Sequence, residues 1–143
     1  EVYNAPANTF VARFLGSPAI NLVSGALRED EGMLYLVADA VRLPLPPHLA
    51  SAARQAGTGD VVLGFRPEDL TVATAAGRGT EARIDVVEPM GSLNVVYASA
   101  GGNRFVATTA PDCFPAPGST VWLSPQPDKM HLFAADTGMA IRE

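Results

Sequence analysis

The sequence predicts an all-β sandwich or barrel entered through one short helix. Three observations carry this. After Ile20 apolar and polar residues alternate with period two. Glycines and prolines punctuate the chain at intervals of roughly eight to twelve residues. The composition, 48% hydrophobic against 17% charged, is that of a globular chain without low-complexity tracts. A chain of 143 residues buries roughly two-thirds of its unfolded surface, enough for a core without staples.

The helix is expected between Asn8 and Leu15. Asn8 is a capping residue, Phe10, Val11, Phe14 and Leu15 recur at helical spacing, and Gly16 with Pro18 forms a stop signal. Strands are expected over Ile20 to Leu27, Met33 to Val37, Asp60 to Arg66, Ala82 to Glu88, Leu93 to Ser99, Arg104 to Thr108 and Thr120 to Ser124. In the fourth of these, Ala82, Ile84 and Val86 are expected on a buried face, with Glu81, Arg83 and Asp85 on a wet one. Glu29-Asp30-Glu31-Gly32 and Gly101-Gly102-Asn103 supply residues tolerant of positive φ and predict two hairpins. Leu43-Pro44-Leu45-Pro46-Pro47 reads as an excursion leading into a short helix from His48 to Gln55 that ends at Gly57. No fixed-period repeat covers the sequence, although two small barrels sharing strands, one mainly before Asp60 and one after, fit the spacing of the elements.

The sequence excludes several chemistries. No G-x-x-x-x-G-K-[ST] string is present to cradle phosphates, and Gly57-x-Gly59 and Gly77-x-Gly79 lack the third glycine of a dinucleotide fingerprint. His48 and His131 are far apart and have no metal-ligand spacing around them. No nucleophile elbow surrounds Ser17, Ser92 or Cys113, and pairs such as Glu68 with Asp69 or Asp85 with Glu88 read as solvated carboxylates. No catalytic residue, metal or cofactor is therefore expected in this sequence. Ten Lys and Arg against fifteen Asp and Glu give a net charge of -5, and the cations are scattered, so no nucleic-acid surface is expected. No apolar run approaches the roughly 18 to 20 residues that span a bilayer. Cys113 has no second cysteine to pair with.

The most informative string is Leu63-Gly64-Phe65-Arg66-Pro67-Glu68-Asp69-Leu70, a strand that ends at a proline with an arginine and a glutamate around the bend. It resembles the "G-I-R-P-E-x-L" string in the accessory domain of the ATP-binding subunits of maltose and glycerol-phosphate importers, the MalK/UgpC type. Other segments resemble that family in the same order. Tyr3 to Pro6, Asn8 to Ala12 and Phe14 to Asn21 resemble the exit from its nucleotide-binding domain. Asp85 to Ser92 resembles "V-V-E-x-L-G", with Val95-Val96-Tyr97 following. Pro127 to Phe133 with Thr137-Gly138 resembles "D-P-x-x-x-H-L-F-D … T-G". The sequence departs from the pattern at Gln126, at Ala134 and Ala135, and at Leu93-Asn94, all on polar edges.

The resemblance implies a mainly β fold with OB-like barrels of about seven to ten strands, one short N-terminal helix and a short helical insertion. It implies that residues 1–18 are a tail and hinge from an upstream ATPase domain, with 19–143 forming the OB-like, TOBE-type regulatory domain. Gly16, Ser17, Pro18 and Asn21 are the hinge candidates. Arg66, Pro67, Glu68, Glu88, Gly91 and His131 are candidates for the family motif and interface. Arg66 and Glu68 read first as a loop staple, and His131 as a partly buried strand histidine. The implied partners are a second copy of the subunit, its own ATPase domain, permease subunits reached through that domain, and regulatory proteins. ATP and Mg would bind the ATPase domain, and the subunit would sit peripherally at the inner face of the cell membrane. Two other readings of an OB-like barrel are a small oxyanion- or sugar-binding module and, more remotely, a binder of single-stranded nucleic acid.

Overall fold

A computed structural model describes residues 20–57, 59–76, 79–135 and 140–141. The expected helix over Asn8 to Leu15, and Gly16, Ser17 and Pro18, lie outside these residues.

The first strands form a meander: β1 (Asn21–Asp30), β2 (Met33–Ala38) and β3 (Val41–Pro44). Glu31 and Gly32, at φ 51° and 82°, make the two-residue turn between β1 and β2, in the handedness that matches strand twist. Helix α1 (Pro47–Ala56) follows. Pro47 stands in its first turn, where an N–H is not needed. Leu49, Ala50, Ala52 and Ala53 are its buried residues, and Gly57, at φ 67°, ends it by donating its N–H to the Ala53 carbonyl at 3.2 Å. Strand β4 (Asp60–Phe65), a 3-10 turn at Pro67–Asp69 and β5 (Leu70–Ala73) come next. A second meander of β6 (Thr80–Pro89), β7 (Asn94–Ala100) and β8 (Asn103–Thr109) precedes β9 (Thr120–Pro125). A 3-10 turn at Pro127–Lys129 then leads to β10 (His131–Ala134) and β11 (Ala140–Ile141).

Two antiparallel sheets result, ordered β11-β10-β4-β1-β2-β3 and β5-β9-β6-β7-β8. The chain passes between them at Arg66–Asp69 and returns at Gln126–Met130, where the Gln126 N–H donates to the Asp69 carbonyl at 2.8 Å. The core fills the space between the sheets with Val23, Leu36, Leu63 and Phe65 from one side and Ile84, Val96, Phe105 and Leu123 from the other. Burying each such side chain contributes about 1.5–3 kcal/mol.

Two sequence expectations are corrected by this arrangement. Leu43 and Pro44 close a paired strand instead of opening the excursion, because Pro44 lies on the outermost strand of its sheet, where a missing N–H leaves no ladder bond unmade. Val86 is 50% exposed instead of buried. The β6–β7 register slips between Ile84 and Val86, so Asp85 is the extra residue of a bulge and the faces exchange beyond it.

The two sheets repeat one pairing pattern that the residues themselves do not repeat. Strands β1 to β4 pair with one another as β6 to β9 do. Tyr35, paired with Arg28 and Pro44, occupies the place of Tyr97, paired with Val86 and Val106. The 3-10 turn Pro67–Asp69 repeats as Pro127–Lys129. The fifth strands are exchanged: β5 follows β4 but joins β9 in the other sheet, whereas β10 follows β9 and joins β4.

Candidate functional site

Two clusters hold the described candidates from the sequence other than Asn21, and they lie at different places on the fold. The first surrounds the chain's passage between sheets. Pro67 fixes the exit from β4, and the Asp69 N–H donates to the Arg66 carbonyl at 3.0 Å. His131 starts β10 opposite Gly64, which brings it beside Arg66 and Asp69. Burial pushes the His131 imidazole below its ordinary range, the Arg66 guanidinium adds to this, and Asp69 opposes it. His131 is thus half-buried at the head of a strand, as expected. Glu68 is exposed in the turn, and the fold brings His131 close enough to Arg66 for the guanidinium charge to oppose protonation of the imidazole.

The second cluster is the β6–β7 hairpin. Glu88 accepts a hydrogen bond from the Tyr97 hydroxyl at 3.1 Å, which raises the Tyr97 pKa above its ordinary value. Asp85 accepts one from Ser99 in the same region. Gly91, at φ 92°, makes the turn, and no other atom lies within 4 Å of where its Cβ would stand. Beside these, Val86 is 50% and Met90 62% exposed. An apolar strip flanked by a carboxylate on an open hairpin has the mixed character of a surface that contacts protein.

Asn21 belongs to neither cluster. It is buried, its Nδ2 donates to the Val106 carbonyl at 2.8 Å, and its Oδ1 accepts from the Val106 N–H at 2.8 Å. Its side chain therefore fastens β1 to the edge of β8, a role that its place after a helix stop did not signal.

A groove that sequence reasoning missed opens between β3, the start of α1 and β9. It has a volume of about 610 Å³, with Leu34, Leu43, Leu45, Leu123 and Met130 among its walls. Its residues are drawn from four separated segments, so no local pattern announces it. Among the described residues no group of three or more His, Cys, Asp or Glu is placed to hold a metal ion. No described helix is long and apolar enough to cross a membrane.

Comparison with known proteins agrees with this architecture. The family model of the MalK OB fold domain matches residues 16–70, and that of the TOBE domain matches 63–133. Over 141 residues, 99% of the chain, it is 35% identical to an uncharacterized ABC transporter ATP-binding protein, y4oS, of Sinorhizobium fredii. It is 34% identical over the same length to the sn-glycerol-3-phosphate import ATP-binding protein UgpC of Escherichia coli K12. The chain spans only 36% and 38% of those two proteins. A solved structure of the cytoplasmic molybdate-binding protein ModG, with molybdate bound, shares the fold with a TM-score of 0.59 at 13% identity. That match covers 82% of this chain and 96% of the ModG chain. Two consecutive family models over one two-sheet β fold, with relatives aligned along nearly its whole length, place this chain in the OB-fold, TOBE-type domain family of MalK/UgpC-type ABC transporter ATP-binding proteins.

Proposed function

We propose that this chain is the regulatory and dimer-stabilising domain that follows the ATPase domain in the ATP-binding subunit of a carbohydrate ABC importer, of the sugar or glycerol-phosphate class. The observation that carries the reading is the 34% identity to an importer's ATP-binding protein over 99% of the chain. ATP and Mg would be held by the ATPase domain, outside this sequence, and the domain itself would hydrolyse nothing.

On this reading the domain braces two subunits while their ATPase domains open and close. The β6–β7 hairpin offers the surface, with Val86 and Met90 as apolar contacts and Glu88 and Gly91 at its polar end. Gly16, Ser17 and Pro18 would form the hinge, and the Asn21 clasp on Val106 gives that hinge a fixed end. The permease subunits would be reached through the ATPase domain, and regulatory proteins could use the exposed Arg66–Glu68 turn. The subunit would be peripheral at the cytoplasmic face of the membrane.

Oxyanion binding gains no support from the site: the groove is lined mostly by apolar residues, and its two arginines, Arg42 and Arg54, already pair with Asp30 and Glu29. Sedimentation equilibrium from roughly micromolar to hundred-micromolar concentration tests the bracing role. A reversible dimer that Val86→Lys converts to monomer supports it. A strict monomer, both for this chain and for the full-length subunit, overturns it.

A further inference from the structure

The two meanders carry the same three kinds of side chain on their outer faces but close them differently. Tyr35 and Tyr97 occupy equivalent places. The pairing registers then make Glu88 of β6 the counterpart of Asp30 of β1, and Arg104 of β8 the counterpart of Arg42 of β3. In the first meander the three groups meet: the Arg42 guanidinium carbon lies 4.0 Å from the Tyr35 ring centroid, and its Nη2 stands 2.6 Å from Asp30. In the second they do not. The Tyr97 hydroxyl donates to Glu88 at 3.1 Å, while Arg104 is exposed and has no hydrogen bond, ion pair or ring contact among the described residues. A carboxylate that accepts one hydrogen bond keeps further acceptor positions, so Glu88 is still able to take a guanidinium.

Around Tyr97 the outer face is apolar and open. Val86, its partner on β6, is 50% exposed, and Val106, its partner on β8, is half-buried. The charges beside this row are divided by strand. Strand β6 carries Glu81, Asp85 and Glu88 against Arg83, whereas Arg104 is the one charged residue of β8. A two-fold contact between identical surfaces requires that each surface hold both halves of every bond, and this one does. A two-fold axis along β7 lays β8 of each copy over β6 of the other, cation over acid. An axis across the strands lays β6 over β6, acid over acid, which like-charge repulsion disfavours.

We propose that a second copy of this chain completes the open triad: Arg104 of each copy lies on the Tyr97 ring of the other and pairs with its Glu88, as Arg42 does with Tyr35 and Asp30 within one chain. The inference rests on the bracing role and fixes its geometry. Val86 and Val106 supply the apolar area around the ring, and a guanidinium on an aromatic face is attracted by the ring quadrupole. The charged pair sets the register of the two copies, since such pairs specify orientation more than they add affinity.

The test is charge exchange, read by sedimentation equilibrium of the 143-residue chain, or of the full-length subunit where the chain alone is monomeric. Arg104→Glu and Glu88→Arg, each alone, should weaken self-association by about tenfold or more, because each sets like charges against one another. An equimolar mixture of the two should associate as the parent does, since both contacts then join unlike charges. Both positions are exposed, and cooperative thermal unfolding checks that each variant is folded. If Glu88→Arg is not, Arg104→Gln decides, with an expected weakening of about three- to tenfold over the two symmetric pairs; unchanged association overturns the proposal. A dimer that Val86→Lys disrupts and Arg104→Glu leaves intact overturns this pairing while the bracing role stands. Loss of association in both charge variants that the mixture does not restore also overturns it, because the contact between copies would not run through this pair. A strict monomer in chain and subunit alike overturns both readings.

Discussion

Both ends of the Asn21 amide are spent on one residue of the other sheet, Val106, through two hydrogen bonds of 2.8 Å. Val106 lies on β8, the last strand of its sheet, and pairs on its inner side with Tyr97. Its outward N–H and C=O would otherwise be orphaned beneath the first sheet. Asn21 supplies what a further strand would have supplied.

Asn21→Ala leaves both Val106 groups without that partner, and Asn21 itself is 2% exposed. A loss of about 2–4 kcal/mol follows, because each stranded buried group costs roughly 1–3 kcal/mol. Urea denaturation measures it, and a change below about 0.5 kcal/mol would show that the clasp is not structural.

The hairpin tips of the two sheets also meet. Asp39 accepts a hydrogen bond from the Gly102 N–H at 2.7 Å, and a Cβ on Gly101, at φ 61°, would collide with the Asp39 carboxylate. Gly101→Ala should therefore cost more than Gly91→Ala, whose φ of 92° is also positive but whose surroundings are open. Thermal unfolding should show about 1–2 kcal/mol for Gly91→Ala and a further 1–3 kcal/mol for Gly101→Ala. Equal losses would mean that the tips are not in contact in solution.

His131 makes stability depend on pH. Its folded pKa lies below the ordinary 6.5, so the unfolded chain binds the proton more tightly. Stability is then complete above the unfolded value and falls as pH drops from that value toward the folded one. His131→Gln should flatten this fall. Arg66→Gln should raise the imidazole pKa only part of the way, since burial is the larger cause. Proton NMR titration of the ring reads both effects, and an unshifted imidazole in the parent chain would refute them.

Met90→Lys tests the hairpin separately from the fold. Met90 is 62% exposed, so the substitution should leave urea stability within about 0.5 kcal/mol. Self-association should weaken in sedimentation equilibrium. A stability loss without any change in association would place Met90 in the packing of its own domain.

Much of the candidate site was legible one piece at a time. The R-P-E string marked the strand exit, because a proline declares itself locally, and Glu88 and Gly91 stood out only through the resemblance of Asp85 to Ser92 to the family pattern. The nearness of Arg66 to His131 was not legible. It arises when β10 returns to pair with β4, across a connection that carries no local trace of its destination.

By itself the sequence determined strands β1, β2, β4, β6, β7, β8 and β9, the Glu31-Gly32 turn, and helix α1 with its Gly57 stop, since each is encoded by periodicity or by a residue's own φ preference. Only the tertiary structure decided the rest. Strands β3, β5 and β10 have four residues each, too few to show a period, and they exist because a partner strand satisfies their backbone. The bulge at Asp85, which turned Val86 outward, is a mismatch between two strands and belongs to neither alone. The repeat of the two sheets lies in hydrogen-bond register, which many side chains satisfy equally, so Phe65 and Phe105 can stand where Pro125 and Leu43 stand in the other half.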